Sequence, residues 1–214
     1  APDEGADMLD CGLLSIHLSA LCDNYQHMKT LSKTAETACV VKADAYGLGL
    51  AEVAPALEQA GCNSFFVAQT QEALDLRALL PDVTIYVLNG LPDGAAALFA
   101  EHQLRPCLIS QHQMRQWQGF CQQQETPHPA ALFVDTGFNR LGLGATDLAD
   151  LAATPEIFDG WTLSLIASHL ACADDADNPM NRAQLERFKD ALAQLPEAPA
   201  SLSNSGGVFL GDAY

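Results

Sequence analysis

Short apolar runs recur along the chain, and each is followed by a longer stretch whose apolar positions return at helical spacing. Ala38–Val41 reads as a buried strand, then comes a polar, glycine-containing stretch, then a helix over Ala51–Ala60 that stops at Gly61. The unit returns as a strand at Ser64–Val67 with a helix over Gln71–Leu80, and as Thr84–Leu88 with Asp93–His102. It continues as Pro106–Ile109 with Gln111–Gln123, Ala131–Val134 with Asp147–Ala153, and Leu163–Ser168 with the longest helix, Met180–Leu195. Ala200–Ser203 opens a further unit. Ahead of the repeat, Gly12–Leu18 alternates like a strand and Ser19–Ser32 reads as a helix.

Strands alternating with helices imply right-handed crossovers and a parallel sheet. An open dinucleotide-binding sheet carries a GxGxxG turn after its first strand. Here that place is taken by Lys42-Ala43-Asp44-Ala45-Tyr46-Gly47-Leu48-Gly49. The fold expected is therefore an α/β barrel of the (β/α)8 TIM type, incomplete with seven barrel strands, plus an N-terminal strand outside it. Residues 1–34 are expected to form a leader, the extra strand and a helix, and residues 35–214 the barrel domain.

Charge narrows the partners. With 10 Lys+Arg against 27 Asp+Glu, the net charge is −17. Such a chain is repelled by phosphate backbones and anionic lipid, so neither nucleic acid nor membrane is expected as a partner. No apolar run reaches membrane-spanning length, and the acidic first ten residues lack the apolar core of a signal peptide. Seven cysteines without a CxxC pair fit reduced thiols and a cytoplasmic location better than a disulfide framework or a metal centre.

Barrels of this type place chemistry where their strands end. The first strand ends at Lys42, one of only four lysines. It is either a lysine snorkelling from a strand end or a desolvated amine able to attack a carbonyl. The sixth strand ends at His169, either a core histidine bonded to a carbonyl or a site imidazole. After the fifth come Asp135, a good turn residue, and Arg140 in the loop. The seventh ends in Ser203-Asn204-Ser205-Gly206-Gly207, small residues whose N–H groups at a helix start suit an anion. An amine, an imidazole, a guanidinium and a phosphate cradle on four strand ends describe a pocket for a phosphorylated aldehyde cofactor.

Four stretches carry a family resemblance. Val40-Val41-Lys42-Ala43-Asp44-Ala45-Tyr46-Gly47-Leu48-Gly49 closely resembles the pyridoxal-phosphate lysine motif of alanine racemases. Val134-Asp135-Thr136-Gly137-Phe138-Asn139-Arg140-Leu141-Gly142 resembles their arginine motif, and Ser168-His169-Leu170-Ala171-Cys172-Ala173-Asp174 their histidine motif. Ser203-Asn204-Ser205-Gly206-Gly207 resembles their phosphate site. The resemblance implies that Lys42 holds pyridoxal 5'-phosphate and is one of two bases. It implies that Tyr46 and Ser205, with backbone near Asn204 and Gly206, bind the phosphate. Arg140 is placed by the cofactor's phenolic oxygen and the substrate carboxylate, and His169 beneath the pyridine ring.

The activity implied is interconversion of L- and D-alanine, an amino-acid racemase in a homodimer whose partner's C-terminal domain completes the site. The sequence departs from the pattern at Phe133, where the family often has a lysine, and at His17, where an aspartate is usual. The family's eighth strand and its β-rich C-terminal domain with the second base are not matched, so the chain is expected to be an N-terminal part, poorly active alone. A broader-specificity racemase of the same superfamily and a non-catalytic pyridoxal-phosphate-binding protein are the alternatives.

Overall fold

The computed structural model describes residues 14–214. Seven strands run in sequence order through one parallel sheet: β1 (Cys39–Val40), β2 (Ser64–Val67), β3 (Thr84–Val87), β4 (Leu104–Leu108), β5 (Pro129–Phe133), β6 (Thr162–Ala167) and β7 (Ala200–Ser201). The helices between them are α3 (Leu50–Gln59), α4 (Thr70–Leu79), α5 (Ala96–Glu101), α6 (Gln111–Gln124), α7 (Ala145–Ala153) and α8 (Pro179–Leu192). α1 (Leu18–Leu31) precedes β1, a single turn α2 (Lys42–Gly47) follows it, and α9 (Ser205–Val208) follows β7. This is the α/β barrel of TIM type, open between β1 and β7 among the described residues. Val40, on the edge strand β1, is 43 % exposed.

The period-two alternation of the strands sorts side chains into two layers. On β2, Phe65 and Val67 are fully buried against the helices, within a cluster that also takes Leu76, Ile85, Leu108, Trp117 and Ile166. Phe66, between them, faces the other way and stacks on Tyr86 with 4.8 Å between ring centroids. A second, smaller cluster of Tyr86, Cys107, Ala131, Phe133, Leu165 and Ala167 fills the concave face. Lys42 follows Val41, whose φ of −124° and ψ of 24° end the extended run of β1.

Helix starts follow local chemistry. Pro179 sits at the first position of α8, where a missing N–H is harmless, and the Asn178 side chain accepts from the Met180 N–H at 3.1 Å. Ser110 caps α6 in the same way, accepting from Gln113 at 3.3 Å.

The expected strand at Gly12–Leu18 is not seen where it can be judged. Positions 12 and 13 lie outside the described residues, residues 14–17 form no strand, and Leu18 already opens α1. Its alternating apolar residues have no sheet to face: Leu14 is 73 % and Ile16 40 % exposed. Among the described residues, no helix is long and apolar enough to cross a membrane.

Candidate functional site

Lys42 opens the turn that follows β1, and its surroundings are unusual. Ala43, Asp44, Ala45 and Tyr46 all lie in the left-handed region, with φ between 52° and 59°. Each such residue with a Cβ costs roughly 1–2 kcal/mol relative to the right-handed form. The turn is closed by the Ala45 N–H donating to the Val41 carbonyl at 3.0 Å and the Gly49 N–H to that of Asp44 at 3.0 Å. The Asp44 side chain accepts from Leu50 at 2.7 Å, fixing the start of α3. Backbone strain concentrated at one strand end marks a site worth its cost. The Lys42 Nζ lies 5.8 Å from the centre of the Tyr46 ring, and Tyr46 is 62 % exposed.

Arg140 is carried on a tightly tied loop after β5. Asp135 is its turn residue: Oδ1 accepts from Gly137 at 2.9 Å and Asn139 at 3.0 Å. The loop returns at Leu143, whose N–H donates to Phe133 O at 2.8 Å while its carbonyl accepts from Asp135 at 2.9 Å. Gly142, at φ 111°, allows that approach, since a Cβ there would stand 2.9 Å from the Asp135 nitrogen. The Arg140 guanidinium lies 4.3 Å from the centre of the Phe138 ring, and that ring meets His169 edge-on at 5.1 Å.

His169 stands where β6 ends. Burial first, then the nearby positive charges of Arg140 and Lys42, push its pKa below the ordinary imidazole value. The neutral imidazole is therefore favoured. Phe138 stands between Arg140 and His169, 4.3 Å from the guanidinium and 5.1 Å from the imidazole, and so joins the ends of β5 and β6. The other lysines are engaged elsewhere: Lys33 pairs with Asp212, Lys189 with Glu186, and Lys29 approaches the Tyr25 ring.

The strand ends of β5 and β6 rest on two side chains of α8, Gln184 and Arg187, that the motifs do not include. Gln184 of α8, fully buried, donates to Thr136 Oγ1 at 3.1 Å and to the His169 carbonyl at 2.8 Å, and accepts from the Ala171 N–H at 2.8 Å. Thr136 and Ser168 share a hydroxyl hydrogen bond of 2.8 Å, and Arg187 donates to the Thr136 carbonyl at 2.9 Å. The available signal was two amides, Asn181 and Gln184, on the otherwise apolar stripe of α8.

At the end of β7, Asn204 caps α9. Its Oδ1 accepts from Gly207 at 2.9 Å and its Nδ2 donates to the Leu170 carbonyl at 3.2 Å, so the side chain is spent on the turn. The first turn of a helix leaves further N–H groups without internal acceptors, here those of Ser205 and Gly206. Neither glycine has room for a side chain: a Cβ would stand 2.9 Å from the Ala173 carbonyl at Gly206 and 2.8 Å from Leu170 at Gly207. Ser203 Oγ beside them is buried with no hydrogen-bond partner. An orphaned hydroxyl and a small-residue cradle at one strand end, with a cation pair at two others, fit a phosphorylated carbonyl compound. Among the described residues, no cluster of histidine, cysteine and carboxylate side chains could hold a metal ion.

Residues 16–214 match the family model "Alanine racemase, N-terminal domain". The curated alanine racemase of Rhizobium meliloti is 47% identical over 201 residues, covering 94% of this chain and 53% of that protein. The crystal structure of alanine racemase from Bartonella henselae with covalently bound pyridoxal phosphate superposes with a TM-score of 0.91 at 44% identity, over 93% of this chain and 58% of that one. The histidine racemase from Leuconostoc mesenteroides superposes with a TM-score of 0.82 at 27% identity, over 92% of this chain and 54% of that one. The chain spans about half the length of the curated relatives it matches. With its lysine motif after β1 and its arginine, histidine and serine-glycine motifs after β5, β6 and β7 of one sheet, the chain belongs to the alanine racemase family.

Proposed function

We propose that this chain carries the cofactor half of an amino-acid racemase acting on alanine, with pyridoxal 5'-phosphate held on Lys42. The observation that carries the reading is the set of strand ends: Lys42 in the left-handed turn after β1, Arg140 and His169 joined through Phe138 after β5 and β6, and the small-residue turn with the orphaned Ser203 hydroxyl after β7. A lysine, an arginine and free helix-start N–H groups suit an anionic occupant. A phosphate and a substrate carboxylate are two.

Bound there, pyridoxal phosphate supplies the electron sink that makes an amino acid's α-proton acidic enough to leave. This chain's residues contribute the binding groups and one of the two bases. Lys42 anchors the group and moves the α-proton on one face. Tyr46 and Ser205, with the N–H of Gly206 and the turn capped by Asn204, bind the phosphate. Arg140, steadied on Phe138, attracts the substrate carboxylate. His169, disfavoured as a cation, offers a neutral hydrogen-bonding nitrogen without adding a third positive charge. The opposite-face base is taken to come from the part of the relatives' length beyond this chain's match, contributed across a homodimer, as the resemblance implies.

The likeness to a histidine racemase favours one second reading, in which the same barrel serves a larger amino acid. The test is turnover by the intact protein with pyridoxal phosphate. L- and D-alanine should each yield the other enantiomer, faster than histidine is inverted. Preferential inversion of histidine or another amino acid would move the substrate. Cofactor binding without any turnover would leave a pyridoxal-phosphate carrier.

A further inference from the structure

We propose that Glu72 is a positioning residue for Lys42, acting through the left-handed turn that Lys42 opens. Glu72 stands in the first turn of α4, after β2, yet its Oε1 accepts from the Ala43 N–H at 2.6 Å, beyond the end of β1. Its Oε2 accepts from Ala68 and Gln69, each at 2.8 Å. An ordinary capping acid serves its own helix, as Asp147 does in accepting from Gly144 at 3.0 Å. Glu72 does that and also ties two neighbouring strand ends together.

What it grips on the far side is backbone whose internal hydrogen bonds work against an unfavourable conformation. The four non-glycine residues after Lys42 lie at φ 52° to 59°, a conformation that isolated chains of alanine, aspartate and tyrosine avoid. The N–H that Glu72 accepts from belongs to the first of them, in the peptide bonded to Lys42. The direction of the lysine side chain is set where the chain passes from extended to left-handed, and Glu72 fixes that point. Asp44 ties the turn forward to α3 from within, whereas Glu72 reaches it from another β–α unit. The chemistry asks for a carboxylate, because all three partners are N–H donors and an amide would turn its own donors toward one of them.

The inference rests on the reading of Lys42 as the cofactor anchor, and its experiment has two arms so that the two can fail separately. The first is amide hydrogen exchange of the intact protein without cofactor. Glu72→Gln should speed exchange of the turn, Ala45 included, by roughly tenfold or more, the loss of one charge-assisted hydrogen bond, while the interior of α4 exchanges as before. The second is the rate at which pyridoxal phosphate forms a borohydride-reducible adduct on Lys42. It should fall roughly tenfold in Glu72→Gln. Ala43→Gly, which enters the left-handed region without the Cβ penalty, should restore part of that rate in the double variant.

Wild-type exchange in the turn and a wild-type adduct rate in Glu72→Gln would overturn the proposal. So would faster exchange throughout α4 with no rescue by Ala43→Gly, which would make Glu72 a helix cap alone. If the wild-type protein forms no adduct on Lys42, the reading of that lysine fails, and the exchange arm by itself decides whether Glu72 holds the turn.

Discussion

Lys42 leaves its strand into a strained turn whose ties, through Glu72 and Asp44, are charged and partly open to solvent. Arg140 and His169 leave theirs over a more buried network that Gln184 completes from α8, with the Asp135 carboxylate and the Arg187 guanidinium tied in at its edge. The two sides hold a side chain at a strand end with ties that differ chiefly in burial: Glu72 and Asp44 reach backbone near solvent, whereas Gln184 is fully buried. Charged ties near water are cheap to lose in stability but set a direction. Buried neutral ties leave orphaned donors and acceptors when broken, so their loss falls on the fold as a whole.

The contrast predicts a large stability effect on the α8 side. Gln184→Ala removes the partner of the His169 carbonyl and the Ala171 N–H and opens a cavity, which should cost about 2–4 kcal/mol. The shift of the urea midpoint at unchanged slope measures it. A cost under about 0.5 kcal/mol would show that water or repacking satisfies these groups and that the two sides do not differ.

A smaller effect sharpens the ligand end. Ser205→Ala removes one hydroxyl from the α9 turn, leaves the Asn204 cap in place, and should weaken pyridoxal-phosphate binding by about 1–3 kcal/mol. Stability without cofactor should change little. Unchanged affinity would take the phosphate away from this turn.

The smallest expected effect is a pH dependence set by His169. Its pKa lies below that of an unfolded histidine, so the unfolded chain binds the extra proton first on acidification. Stability from this group is present above the ordinary imidazole range and is lost as pH falls through the unfolded and then the folded pKa. His169→Gln should flatten that part of the stability profile. An imidazole NMR titration at or above the ordinary value would remove the effect and the neutral assignment with it.

Much of the fold was legible because its signal is periodic. The strand at Ser64–Val67 and the helices over the next units were readable from buried runs and glycine stops. The strand ends bearing Lys42 and His169 follow from where those runs finish. The left-handed turn was not legible. Alanine and tyrosine carry no local preference for it, and two of its side-chain ties come from Asp44 and from Glu72, which lies in the next unit. Gly12–Leu18 misled because its alternation finds no sheet neighbour over residues 14–17. Phe138 lay inside a recognised motif, but its contact with Arg140 and His169 depends on loop geometry that spacing does not encode.

The central claim is that the strained turn exists to present Lys42 to a cofactor carbonyl. Borohydride reduction of the intact protein with pyridoxal phosphate, followed by peptide mass mapping, tests it most directly. The account predicts one reduced pyridoxyl adduct on the peptide containing Lys42 and none in Lys42→Ala. An adduct of equal yield in Lys42→Ala, carried on Lys29, Lys33 or Lys189, would contradict it.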